Sequence, residues 1–266
     1  MISFAKAHAY GNDFLYVRRD EVANLRLDQL TREICNRHTG IGADGLIVYE
    51  PTADGASMHL FNADGGRAEM SGNGVRGLAA LLAWHDQRPN LELAIVTDGG
   101  IKRLTRIGHD TARQTFRAAM GLPTGMRRTS VTVAEEVVDL VALNIGNPQA
   151  VILSPLPEDD RFHRLGAALE RHPAFPEGTN VEFACVEAPK IVRIRIWERG
   201  VGETTSSGTG SCAALIAAAA YGGAARTADV IAPGGSQRVE WTDESVYLTG
   251  WAEVLCRGEW LREPLT

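Results

Sequence analysis

Two stretches of this chain follow one plan. "SGNGVRGLAALLAW", from Ser71, and "SGTGSCAALIAAAAYG", from Ser207, each run a Ser-Gly-x-Gly turn into an alanine-rich, helix-like segment. A second pair of turns keeps the same register. Asn12 in "YGNDF" and Asn147 in "IGNPQ" lie 135 residues apart, and the two serines lie 136 apart. One pair of short glycine motifs arises easily by chance. Two pairs at nearly one offset point to a chain built twice over, as two related α/β halves facing each other.

The rest of the chain fits two such halves. "HLFNADGG" (59–66), "LELAIVTDGG" (91–100), "VVDLVALNIGN" (137–147), "IVRIRIWERG" (191–200) and "VYLTGWAEVL" (246–255) read as strands ending in turns. "LDQLTREICNRHTG" (27–40) reads as an amphipathic helix stopped at Gly40, and "RFHRLGAALERHP" (161–173) as another closed by Pro173. Many strands and few helices predict an α+β fold. The lobes fall at 1–125 and 126–266, with 127–140 as the crossing and the end of the chain free to return to the first lobe.

Composition removes several classes of function. A net charge of −6 speaks against a nucleic-acid partner. No run reaches about eighteen apolar residues and no export signal opens the chain, which predicts a cytoplasmic protein without a membrane span. The cysteines at 35, 185, 212 and 256 form no C-x-x-C pair and have no His at ligand spacing. Reduced thiols and no metal site are expected.

A Ser-Gly-x-Gly turn before a helix presents backbone N–H groups at the helix's positive end, where carboxylates and phosphates bind. Taken singly, Ser71 and Ser207 are N-caps, each contributing about 1 kcal/mol. Taken as a pair, they would hold one anion and set two like side chains on its opposite sides. That geometry inverts a stereocentre: one group removes the α-proton and the other delivers one from behind. The helix termini would stabilise the carboxylate as the carbanion forms. Glu198 and Arg199 in "WERGVGE" offer one charge to an ammonium and one to a carboxylate, or form an ordinary solvated pair.

These positions resemble the diaminopimelate epimerase family over nearly the whole chain. The resemblance is carried by "GNDF" (11–14), "RHTGIGADGL" (37–46), "NADGG" (62–66), "SGNGVR" (71–76), "IGNP" (145–148), "GTNVEF" (178–183), "ERGVGET" (198–204) and "SGTGSCAA" (207–214), in that order. It implies two pseudo-symmetric lobes, each a β-barrel-like roll around a central helix, with the active site between them. It also implies a cofactor-independent isomerase of lysine and cell-wall biosynthesis, acting on a small amino acid and usually a homodimer. By the same resemblance Asn12, Asn62, Asn147 and Asn180 bind substrate, and Glu198 and Arg199 recognise its reacting end. Gly72, Asn73, Gly208 and Thr209 supply backbone donors for its α-carboxylate. Side-chain amides suit a zwitterion, since each carries both donors and an acceptor.

The departures are as informative. The family's two catalytic cysteines are here Ser71 and Ser207, and Cys212, five residues into its motif, is no substitute. Gln149 stands where the family usually has His, Gly77 where a second Cys is common, and Gly45 where some members present Gln. "TGWAE" (249–253) replaces a common Gly-Pro-Ala. A serine hydroxyl is roughly five units more basic than a thiol, so ionising it costs about 7 kcal/mol more. Two-base epimerisation at Ser71 and Ser207 therefore needs a further group to activate the serines. Three readings follow: an epimerase with diaminopimelate as leading substrate; a racemase, dehydratase or isomerase acting on another amino or carboxylic acid; or a homologue that binds the ligand without turning it over.

Overall fold

Both Ser-Gly-x-Gly turns open helices, and both helices are enclosed by strands. A computed structural model describes residues 1–110 and 112–261. The first part of the chain runs β1 (Ile2–Ala9), β2 (Asn12–Arg18), α1 (Leu27–Ile34), β3 (Gly45–Thr52), β4 (Gly55–Asn62), β5 (Arg67–Ala68), α2 (Gly72–Leu82), β6 (Glu92–Thr97), β7 (Gly100–His109) and β8 (Arg113–Gly121). The second runs β9 (Thr124–Val133), β10 (Glu136–Asn144), β11 (Pro148–Leu153), α3 (Asp159–Glu170), β12 (Asn180–Ala188), β13 (Ile191–Glu198), β14 (Gly202–Thr204), α4 (Gly208–Tyr221), β15 (Thr227–Ala232), β16 (Gly235–Trp241) and β17 (Val246–Trp260).

The pairings repeat one for one. In the first part β1–β2 is antiparallel, β2–β3 parallel, β3–β4 antiparallel, β4–β6 parallel, and β6–β7 and β7–β8 antiparallel. In the second, β10–β11, β11–β12, β12–β13, β13–β15, β15–β16 and β16–β17 follow the same senses in the same order. β17 pairs with both β8 and β1, which closes the first set into an eight-stranded barrel. The offset seen in four turns thus extends to these six strand pairings.

The chain divides into two units, Met1–Ala118 with the segment from Gly250 onward, and Ala119–Thr249. β17 leaves β16 in the second unit and continues along β1 in the first. The segment 127–140, expected to be a crossing, is instead the β9–β10 hairpin. Ala134 and Glu135 both take left-handed backbone angles and fold it back on itself. The predicted helix over 27–40 stops at Ile34. Beyond it the Asn36 side chain accepts from the N–H groups of His38 and Thr39, capturing the donors that a longer helix would need.

Each unit is organised around its buried helix. Asn73 to Leu81 of α2 and Gly208 to Ala218 of α4 are all buried. A helix with no polar face belongs inside a domain, and glycine and alanine keep it thin enough for strands to enclose. The amphipathic α1 and α3 lie outside, covering separate apolar clusters built on Leu30 and Ile34 and on Phe162 and Leu165.

Gly77 shows how tight this enclosure is. Fully buried Tyr16 on β2 donates its hydroxyl to the Gly74 carbonyl at 3.0 Å. A Cβ on Gly77 would stand 2.1 Å from that hydroxyl oxygen. Gly77→Ala is expected to destabilise the protein by about 2 kcal/mol through overpacking. Adding Tyr16→Phe should recover part of that loss, a coupling that urea denaturation of both single variants and the double variant would measure.

Candidate active site

In the first unit, Tyr10 and Gly11 form a left-handed turn that delivers Asn12 to the start of β2. The Asn12 amide donates to Asp44 Oδ2 at 2.8 Å and accepts from Asn73 Nδ2 at 3.3 Å. Asn73 Oδ1 in turn accepts from Arg76 Nη1 at 3.3 Å. Buried Arg76 lies over the Tyr10 ring, and the Tyr10 hydroxyl accepts from the Trp251 N–H. A chain of amides therefore links the β1–β2 turn to the first turn of α2. Ser71 caps that helix, its Oγ accepting from Gly74 N at 3.2 Å.

The "RHTGIGADGL" motif fastens this group from behind. Arg37 donates to Asp13 at 2.6 Å and to Asp44 at 2.8 Å, and Lys6 pairs with Asp13 at 2.9 Å. Burial works against ionising Asp13, but the bonds from Arg37 and Lys6 outweigh it and hold the carboxyl below its ordinary value. Asn62 lies opposite Gly45 in the β3–β4 pair, and the N–H of the next residue, Ala63, donates to the Asp44 carbonyl.

The second unit repeats the cap and changes its surroundings. Ser207 Oγ accepts from Gly210 N at 3.2 Å. Its carbonyl accepts from the Ser211 N–H and hydroxyl. The first-turn N–H groups of Gly208 and Thr209 have no intrahelical carbonyl to bond, as in any helix. Asn180 opens β12 and accepts the Arg199 N–H at 2.9 Å, while the Arg199 guanidinium donates to the Glu177 carbonyl. Gln149, fully buried, lies among Asn147, Asn180, Glu182 and Thr209. Its amide is best satisfied with Nε2 on the Glu182 carboxyl at 2.8 Å and Oε1 facing Asn180 Nδ2 and the Thr209 hydroxyl, each at 3.2 Å.

Two residues in this half carry no signal in the sequence pattern. Glu170 on α3 accepts from Trp197 Nε1 at 2.8 Å and from Gly200 N at 2.9 Å, so it holds both flanks of the Glu198–Arg199 turn. Glu182 is fully buried on β12, and burial, reinforced by the charge of Glu198, pushes its carboxyl well above the usual value. The "GTNVEF" motif contains it, but strand alternation alone does not say that a carboxyl points inward.

The structure thus gathers Asn12, Asn73 and the Ser71 turn into one bonded group. It gathers Asn147, Asn180, Thr209 and the Arg199 backbone into another around Gln149, with Glu198 a neighbouring charge. The model of the diaminopimelate epimerase family matches residues 4–124 and 141–255. The chain belongs to the diaminopimelate epimerase family. It is 38% identical to the diaminopimelate epimerase of Desulforudis audaxviator, over 98% of this chain and all of that one. It is 33% identical to that of Carboxydothermus hydrogenoformans, over 97% and 99%. Solved structures extend the fold. A probable proline racemase from Agrobacterium radiobacter superposes with a TM-score of 0.74 at 16% identity, covering 99% of this chain and 94% of that one. A methylitaconate-delta-isomerase superposes at 0.65 and 15% identity, over 97% and 94%. The chain is an isomerase of the epimerase and racemase kind. Among the described residues no helix is long and apolar enough to cross a membrane.

Glu170→Ala should cost about 1–2 kcal/mol, since it removes the acceptor shared by the half-buried Trp197 indole and the Gly200 N–H; Glu170→Gln should cost less, by urea denaturation. Glu182 gives a pH signature. Its folded-state value lies above the unfolded one, so the folded protein binds the extra proton and loses stability as pH rises above about 4.5. Glu182→Gln removes that dependence. Its stability relative to the parent should rise from pH 5 to pH 8, by at most about 1.4 kcal/mol per pH unit.

Proposed function

We propose that this protein epimerises an amino acid at its α-carbon, with LL-diaminopimelate as the leading substrate and Ser71 and Ser207 in the two proton-transfer positions. The observation that carries the reading is the pair of serine-capped Gly-x-Gly helices within a family match that covers both halves of the chain. In this reading Gly72, Asn73, Gly208 and Thr209 present N–H donors to the α-carboxylate, stabilising the charge that develops as the α-proton leaves. Glu198 and Arg199 meet the ammonium and carboxylate of the reacting end. Asn12, Asn62, Asn147 and Asn180 orient the rest, the first and last already fixed by Asp44 and by the Arg199 N–H. No cofactor enters the scheme, because the carbanion is stabilised by fixed dipoles. We place the protein in the cytoplasm as a homodimer, as the family resemblance implies.

Serine makes this a slower enzyme than its cysteine relatives unless each hydroxyl has a proton partner. Proton NMR in D₂O with LL-diaminopimelate should show loss of the α-proton signal and growth of the meso form. Ser71→Ala or Ser207→Ala should reduce that rate by at least about 10²-fold. The double replacement by Cys should raise it by several orders of magnitude. Absence of exchange in the parent and in the double-Cys protein would rule out diaminopimelate as substrate. A second reading, a different amino or carboxylic acid, is favoured by the neutral Gln149 amide in the second half-site. It would show as exchange or double-bond movement in that compound alone.

A further inference from the structure

The two half-sites are built on one plan, so the place where they differ in chemistry stands out. In the first unit a Cβ added at Gly74 would meet Ile47 Cδ1 at 2.8 Å and Ser71 Cβ at 3.4 Å. In the second, a Cβ added at Gly210 would meet Glu182 Oε1 at 2.7 Å, Ser207 Cβ at 3.1 Å and Ser207 Oγ at 3.2 Å. Ile47 and Glu182 lie 135 residues apart, on β3 and β12, each the third residue of its strand. The same niche behind the same serine thus holds an aliphatic side chain in one unit and a carboxyl in the other. In the second unit that carboxyl accepts from the buried Gln149 amide, whereas its twin in the first unit is apolar. A buried carboxyl is costly to keep ionised, and carboxyls shifted in this way cluster where protons are transferred.

We propose that Glu182 is the proton partner of Ser207, receiving through the serine hydroxyl the proton that leaves the substrate α-carbon. The inference rests on the epimerase reading above. The Cα–H bond breaks as Ser207 Oγ takes that proton, and the serine's own proton passes to the Glu182 carboxylate. The electron pair stays on the substrate as a stabilised carbanion, the serine is regenerated and Glu182 becomes neutral. In the opposite direction neutral Glu182 returns a proton by the same route. Glycine at 210 keeps the space between the two oxygens open. Ser207 Oγ already accepts from the Gly210 N–H, which leaves its own proton available to donate. Glu182 is fully buried, so it acts through Ser207 rather than on the substrate and is a positioning residue. The groups that face it are Gln149 from β11, the charge of Glu198 from β13, Gly210 from the N-terminal turn of α4 and, across the space a Cβ there would fill, Ser207. Ser71, backed by Ile47, has no carboxyl in the same niche, so the two serines are unequal as proton carriers.

The test uses the full chain, Glu182→Gln and Glu182→Ile, the second borrowing the residue the first unit tolerates. In D₂O, exchange of LL- and meso-diaminopimelate should differ in the parent. Exchange of the isomer served by Ser207 should rise with pH through the Glu182 ionisation. Both variants should lose that exchange by at least about 10²-fold and flatten its pH profile, while the exchange served by Ser71 changes little. An active parent whose variants keep both the rate and the pH profile overturns this inference and leaves the epimerase reading standing. A parent inert in every exchange assay overturns both.

Discussion

A helix walled in on all sides by strands has to be thin, and it has to satisfy its own end. This constraint shapes both units. Alanine and glycine give α2 and α4 the narrow section that lets a ring of strands close around them. Serine at each N-cap supplies the acceptor that a buried first turn would otherwise lack. With the end capped from within, the remaining first-turn N–H groups are committed to nothing else in the helix. A structural necessity thereby leaves a polar mouth on an otherwise apolar element. The asparagines at 12, 73, 147 and 180 are arranged around those mouths, and each is held by the strand or turn beside it.

Much of this was legible in the sequence because duplication is a long-range signal. Four turns at one offset implied two related halves, and the strand order obeys that implication pairing by pairing. The serines were legible as caps from the turn chemistry alone. Boundaries were less so. The helix from Leu27 was overextended because a side-chain acceptor at Asn36 outbid the helix for its donors. The hairpin at Ala134 and Glu135 was missed because neither residue is a usual left-handed one. Glu182 was invisible for a different reason. Its meaning comes from what stands opposite it on α4, a relation that no spacing along the chain encodes.

Duplication also explains why the two half-sites can diverge. Each unit carries its own core, cap and asparagines, so a change in the niche behind one serine leaves the other unaltered. The first unit spends its polar bonds on fastening Asn12 through Asp13, Arg37, Asp44 and Lys6. The second places its buried polarity behind the serine, in Gln149 and Glu182. The two capping serines, Ser71 and Ser207, sit on this unequal background. Gly77 belongs to the same account: Tyr16 fills the space that a side chain there would need.

The last strand has a consequence for how the chain reaches this state. β17 completes the first barrel by lying along β1, where Ile2 is opposite Trp260. Almost the entire chain must leave the ribosome before that pairing can form, and contacts so distant in sequence are slow to close. The second unit, by contrast, is continuous from Ala119 to Thr249. It can assemble while β1 still presents an open edge. The unit encoded first is therefore the one finished last, and during that interval its unpaired β1 edge is the surface a chaperone would have to guard.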